Sequence, residues 1–238
     1  MTHRDPRQLA APDSTVLAAV ESAVPGITRT RVSDRLGTAH DASHYLLPPQ
    51  AVLVPENAEQ VAALLRTGLP LTFRSGGTSL SGQGVSEHLL VDTRRHFRDI
   101  EVIDGGARVR VQPGAVLRQV NARLAPYGRK LGPDPASESA CTIGGVVANN
   151  SSGMTCGAHA NTYRTLESLT LVLPSGTVVD TGAADADERL RAHVSEVPGR
   201  RPSPPPRTRA WHRWPSTRCC RRWPGCGRVR ESAPTRPA

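Results

Sequence analysis

Lysine is almost missing from this chain: one residue, Lys130, stands against 29 arginines in 238 positions, a bias that fits a gene of high GC content. Aromatic residues are scarce at 3% and hydrophobic residues make up 37%. No run of 18 or more apolar residues occurs, so no transmembrane segment is expected. The N-terminal stretch MTHRDPRQLAAPD lacks the apolar centre of a signal peptide, so export is not expected and the cytoplasm is the expected location. Five cysteines in a chain of this length do not make a disulfide framework. These shortages exclude collagen-like, coiled-coil, membrane-spanning and knottin-like proteins. The length suits one ordinary domain, or two small ones.

The formal net charge of +9 invites a nucleic-acid reading until it is located. Residues 193–238 hold 11 arginines and only two acids, Glu196 and Glu231, so the whole surplus sits there. The preceding 192 residues balance 19 basic against 19 acidic side chains. The same tail holds all three tryptophans, three of the five cysteines and nine of the 21 prolines. It shows neither a helical nor a strand period, and its proline content and charge oppose a packed core. Cys219, Cys220, Cys226 and His212 do not match zinc-ligand spacing. The run RTRAWHRWPSTRCCRRWPGC has the composition of a GC-rich gene translated out of frame. A frameshift or truncation is therefore the expected origin of the tail, and the DNA around codon 192, read in three frames, would decide it.

The neutral body reads as an α+β chain. Asp13 or Ser14 caps a short helix with Leu17, Val20 and Val24 on one face, ended by Pro25-Gly26. A loop of little period runs through HDASHY. AVLVP (51–55) is a strand, AEQVAALLRTG a helix closed by Gly68, PLTFR (70–74) a strand and HLLVDTRR a third strand. IEVIDGGARVRVQPG is a hairpin turning at Asp104-Gly105-Gly106. AVLRQVNARLAPYG is an amphipathic helix, and LESLTLVLPSGTVVDTG two strands around a Pro-Ser-Gly turn. No internal repeat is present.

Two glycine-rich stretches carry chemistry. In FRSGGTSLSGQG a strand runs into a loop whose backbone N–H groups can converge on an anion, with glycines allowing close approach. It is not a Walker A loop, because Gln83 stands where the lysine belongs, and it has no G-x-G-x-x-G. A plain strand-to-helix turn is the other reading. The second stretch, GPDPASESACTIGGVVANNSSG (132–153), is long and irregular, and its run of small residues lets a flat ligand lie against backbone. An Ω-loop packed by its own residues is the alternative, and the N-x-S/T matches at Asn149 and Asn150 are taken as chance.

In this order, SGGTSLSGQ, then LGPDPASESACTIGGVVANNSSG, then YRTLESLTLVLPSGTVV resemble the FAD-binding domain of the vanillyl-alcohol oxidase and p-cresol methylhydroxylase flavoproteins. HDASHYLLPPQAVLVPENAEQVAALL is similar to the lead-in of the D-2-hydroxyacid dehydrogenases, the D-lactate and glycolate group, and GPDP with CTIGGVVANN resembles the branch carrying a C-terminal iron–sulfur region. The likeness covers roughly residues 28–190. It implies a two-lobed α+β FAD-binding domain of p-cresol methylhydroxylase type, incomplete at its C-terminus. The expected organisation is an N-terminal helix and lead-in (1–45), the FAD-binding domain (46–190) and a disordered Arg/Pro-rich tail (191–238).

The resemblance also implies residue roles. Arg74 to Leu80, chiefly the amides of Ser75, Gly76, Gly77, Thr78 and Ser79, would hold the FAD pyrophosphate. Pro133 and Asp134 would lie near the flavin. Thr142, Gly144 and Gly145 would line the isoalloxazine or ribityl, with Ala148, Asn149, Ser152 and Gly153 beside the phosphates. Val178 would meet the adenine through its backbone. Thr78 stands where relatives with covalent FAD often carry histidine, so FAD is expected to be noncovalent. Cys141, the nearby nucleophile, reads as a buried small side chain. Arg164 reads as a surface arginine, and His40 and His44 as packing or surface residues rather than metal ligands. Catalytic histidines, metal ligands, the cap domain and the iron–sulfur cysteines would lie beyond residue 190 in longer relatives. No catalytic residue and no metal site is assigned here.

The implied activity of a complete relative is oxidation of a small D-2-hydroxy acid to the 2-oxo acid, with this chain inactive alone. The competing class is a noncatalytic module whose basic residues 200–230 contact nucleic acid or an acidic partner. Retention on heparin that disappears with the tail would mark that class. The main reading expects no nucleic-acid partner.

Overall fold

The computed structural model describes residues 9–193, residue 195 and the strand Cys220–Arg222. Helix α1 (Ser14–Ala23) starts at Asp13, whose Oδ1 accepts the N–H groups of Thr15 (2.8 Å) and Val16 (3.4 Å). Val20 and Val24 are buried on its inner face, and the chain turns at Gly26. Strand β1 (Thr28–Arg29), helix α2 (Val32–Gly37), strand β2 (Ala51–Leu53), helix α3 (Ala58–Arg66), strand β3 (Leu71–Arg74) and strand β4 (Leu89–Asp92) follow. They form one sheet in the order β1-β2-β4-β3. β1 is antiparallel to β2, while β2, β4 and β3 run parallel. Every residue of β2 and β4 is buried, as a parallel sheet requires when both faces are covered. Asn57 caps α3 by accepting the Gln60 N–H (2.9 Å), and Gly68, at φ 67°, ends the turn after it.

A second unit opens with the hairpin β5 (Ile100–Ile103) and β6 (Arg108–Val111), reversed through Asp104, Gly105 and Gly106, all at positive φ. Helix α4 (Leu117–Leu124), strand β7 (Arg129–Leu131) and helix α5 (Ile143–Ala148) complete it. Helix α6 (Thr162–Thr165), the hairpin β8 (Thr170–Val172) and β9 (Val178–Asp180), and helix α7 (Ala186–Ala192) come after.

Among the described residues, apolar side chains gather into two larger cores and a smaller cluster of Val52, Val54 and Leu90. Val20, Val24, Ile27, Leu53, Leu64, Leu89 and Val91 fill the first, under the parallel sheet. Leu117, Val120, Leu124, Leu131, Cys141 and Val146 fill the second, against Ile100, Val102, Val109 and Val111 of the hairpin. The expected α+β chain with two lobes is what the structure shows.

Several elements differ from the sequence reading. The stretch expected to be a loop through HDASHY contains β1 and α2. Helix α2 has no side-chain cap and only six residues, so local propensity is weak. Arg35 anchors it from outside, its buried guanidinium donating to the carbonyls of Pro49 (2.7 Å) and Ala10 (2.9 Å). Helix α5 replaces part of the expected irregular loop, although two of its six residues are glycine. Helix α7 runs through the expected boundary at residue 190. No strand was expected after Arg191, yet Cys220–Arg222 pairs antiparallel with β7, using backbone groups that need no side-chain period. Apart from that strand and residue 195, residues 194–238, and the reading of them as disordered, lie outside the described residues.

Candidate functional site

The two glycine-rich stretches meet at the junction of the two cores. The first leaves the end of β3, in the first lobe. The second crosses from β7 into α5, in the second lobe. Ser75 Oγ and Thr142 Oγ1 share a hydrogen bond across the junction, with Thr142 fully buried. Gly76 lies so close to the second stretch that a β-carbon on it would stand 2.1 Å from the Ala140 carbonyl oxygen. A β-carbon on Gly145 would stand 2.6 Å from Ser75 Oγ, and one on Gly144 would meet the Pro113 ring at 2.7 Å. The glycines are therefore what lets these backbones touch.

The N–H groups of Gly76, Gly77, Thr78 and Ser79 find no acceptor among the described residues, although all four residues are half-buried. Gly145 N–H is in the same condition. Consecutive backbone N–H groups without a partner in the protein are free to converge on an anion. Gly77, at φ 69°, supplies the left-handed residue that such a loop needs. Ser79 shapes the loop from inside: its Oγ donates to Gln83 Oε1 and accepts the N–H groups of Ser81 (3.2 Å) and Gln83 (3.4 Å).

Two other residues expected at the site are tied into the fold by hydrogen bonds. The Arg74 side chain is buried beneath the loop, where a β-carbon on Gly77 would stand 2.9 Å from its Cζ, and its hydrogen bonds go to carbonyls. Its Nη2 donates to the His40 carbonyl (2.9 Å), and its Nη1 to the carbonyls of Gly84 (2.9 Å) and Thr38 (3.4 Å). Burial, reinforced by the nearby Arg94 charge, lowers its pKa against the raising effect of Asp41 and Asp92. Asp134 accepts the Thr155 hydroxyl and the N–H groups of Thr155 (3.1 Å) and Cys156 (3.2 Å), and Gly153 packs directly on it. Burial pushes its carboxyl up, but these bonds together with Lys130 hold it below the ordinary range.

Pro133 is buried beside Asp134, while Ala148, Asn149 and Ser152 are exposed around the end of α5. Leu80 projects into solvent at 78% exposure. Val178 sits in β9, where its carbonyl accepts Arg189 Nη2 (2.9 Å); no hydrogen bond ties it to either loop. Cys141 belongs to the second core, and burial pushes its thiol up, which disfavours the nucleophilic thiolate. Arg164 is exposed. His44 stacks on Tyr45 with ring centroids 4.5 Å apart.

Sequence reasoning missed Pro113, Ala115 and the contacts of residues 38–45. The Pro113 carbonyl accepts the Gly144 N–H (2.8 Å), and the Ala115 carbonyl accepts the Ile143 N–H (2.9 Å). Their part in the site is set by contacts that no spacing pattern displays.

Residues 49–182 match the model of the FAD binding domain family. The chain belongs to that family. FAD carries the pyrophosphate anion for which the unpaired amides are suited, so the residues present fit the cofactor. Among curated relatives, the D-2-hydroxyglutarate dehydrogenase of Pantoea ananatis is 35% identical over 66% of this chain and 16% of its own length. Glycolate oxidase subunit GlcD of Escherichia coli is 30% identical over 73% of this chain and 36% of its own. The D-lactate dehydrogenase of Archaeoglobus fulgidus is 31% identical over 60% and 34% respectively. This FAD binding domain chain thus spans between about a sixth and about a third of these relatives. Among solved structures, alkyldihydroxyacetonephosphate synthase superposes with a TM-score of 0.63 at 17% identity, covering 78% of this chain and 40% of that one. Chitooligosaccharide oxidase gives 0.57 at 26%, covering 72% and 38%. The expected resemblance to flavoproteins of the p-cresol methylhydroxylase type is borne out. Among the described residues, no helix is long and apolar enough to cross a membrane.

Proposed function

We propose that this chain holds FAD noncovalently, as the flavin-holding part of an oxidoreductase that converts a D-2-hydroxy acid to its 2-oxo acid. The observation that carries the cofactor reading is the row of unpaired N–H groups at residues 76–79, at the junction of the two cores. Uncharged amides suit a pyrophosphate because they satisfy it without a lysine. The relatives named for D-2-hydroxyglutarate, glycolate and D-lactate supply the substrate class. FAD, when bound, supplies the two-electron acceptor. The chain's own residues supply the anion site, through residues 75–79, and a close seam between lobes, through Gly76, Gly144 and Gly145. Thr78, with a hydroxyl where a histidine would allow covalent attachment, supports the noncovalent reading.

At the contact between the loops, the described titratable side chains are committed to the fold. Arg74 binds three carbonyls, Asp134 binds Thr155 and Cys156, and Cys141 is buried. That these groups are already engaged or buried supports the reading that the chain alone does not turn over.

Two measurements test this. Purified protein incubated with FAD and desalted should keep a yellow flavin that denaturation releases, and Gly77→Val should keep none. A valine at φ 69° costs on the order of 1–3 kcal/mol in the loop itself. Normal flavin absorbance in Gly77→Val protein would overturn the site assignment. The FAD-loaded chain should also keep its flavin absorbance when mixed anaerobically with D-2-hydroxyglutarate, D-lactate or glycolate. Bleaching by any of them would show that the chain carries out the oxidation unaided.

A further inference from the structure

Residues 38–45, the HDASHY stretch and the two residues before it, lie along the first glycine loop and bind it at several points. Ala42 N–H donates to the Gly77 carbonyl (3.0 Å). Arg74, at the start of the loop, reaches the carbonyls of Thr38 and His40 on this stretch and the carbonyl of Gly84 at the loop's far end. One guanidinium thus closes the loop and fastens the stretch across it. The Tyr45 ring covers Gly82, where a β-carbon would come within 2.5 Å of Cδ2. Asp41 is buried to 2% exposure and Arg74 to 6%. A β-carbon on Gly84 would lie 3.7 Å from Asp41 Oδ2 and 3.9 Å from Arg74 Nη1, so the two charges border one site. Asp41 Oδ1 accepts the Ser43 N–H (2.9 Å), while Asp41 Oδ2 and Arg74 Nε are both buried with no hydrogen-bond partner.

The bond from Ala42 has a directional consequence. The Gly77 carbonyl and the Thr78 N–H belong to one planar trans peptide and point in opposite directions. Fixing that carbonyl against the stretch therefore turns the Thr78 N–H away from it, into the row of unpaired donors. Resting on the reading that this row receives the FAD pyrophosphate, we propose that residues 38–45 form a strap that sets the amide directions of the loop. In it, Arg74 and Asp41 are positioning residues, and Arg74 makes no contact with the phosphate.

Charge gives the test its sign. If these side chains acted on the cofactor as charges, removing the Asp41 carboxylate would strengthen binding of an anion, and lysine would stand in for Arg74. A strap predicts the reverse on both counts. Asn at 41 keeps the acceptor for Ser43 but removes one of the two carboxylates, the other being Asp92, that balance the buried Arg74 charge. Lysine keeps the charge but not the planar fork that serves three carbonyls. The experiment measures FAD dissociation constants and amide exchange at Ala42 in the full chain, for wild type, Asp41→Asn and Arg74→Lys. Circular dichroism confirms folding, and the near-isosteric Asp41→Asn decides alone if Arg74→Lys does not fold. The expected result is FAD binding weakened about tenfold in both variants, with faster exchange at Ala42. Tighter binding in Asp41→Asn, or wild-type affinity and wild-type Ala42 protection in both variants, would overturn the strap. If wild type itself takes up no FAD, the cofactor reading fails, and the Ala42 exchange rate still decides whether the pair holds the strap on the loop.

Discussion

Asp134 has a part in the fold that its hydrogen bonds define. Expected near the flavin, it receives bonds from Thr155 and Cys156 and fastens the turn at Gly153. Its folded pKa lies below the ordinary 3.8, because these bonds outweigh the effect of burial. A depressed carboxylate contributes stability that is present above its unfolded pKa and lost as pH falls through its folded one. Asp92 behaves in the same way: burial raises its pKa, and the bonds and charge of Arg94, with Arg74, more than offset that. Urea midpoints should therefore drop as pH falls from about 5 towards 3. Asp134→Asn should flatten part of that slope; an identical slope in the variant would remove Asp134 from the account.

Among the elements, those with a strong local signature match the sequence reading, and those held by distant contacts do not. Helix α1 begins at the Asp13 cap, and Asp13→Ala should cost about 1 kcal/mol in urea unfolding. Flavin retention should be unchanged, because α1 packs on the first core, away from the loop seam. Loss of flavin in a folded Asp13→Ala protein would link α1 to the site. The β5–β6 hairpin was legible because Asp-Gly-Gly between alternating residues specifies its turn. Helix α2 was not, because Arg35 anchors it to carbonyls 14 and 25 residues away in sequence. Helix α5 was hidden by its two glycines. Glycine opposes a helix locally, but here contact with Pro113 and Ser75 leaves no room for another residue.

For the whole molecule, the decisive arrangement is two cores with one glycine-rich stretch from each meeting between them. A ligand bound there contacts both lobes and should stabilise them together. FAD at a hundred times its dissociation constant should add about 2.7 kcal/mol to unfolding. Amide exchange should slow both at Val91, in the first core, and at Val120, in the second. Slowing in one core alone would place the ligand on a single lobe rather than at the seam.

Residue order alone specified the α+β class, strands β2 to β6, β8 and β9, helices α1, α3 and α4, both glycine-rich stretches and the family they resemble. Each of these is written in local period, turn chemistry or motif order. It also located the charge surplus in residues 193–238. Which residues face the seam was set by packing between distant segments. It turned Arg74 inward to three carbonyls, gave Asp134 to a turn, and brought Ser75 against Thr142, 67 positions apart in the chain. It also laid residues 38–45 across the loop. The physical reason is that a side chain's direction and partners depend on packing and hydrogen bonds between segments far apart in sequence, whereas residue order displays only local preference.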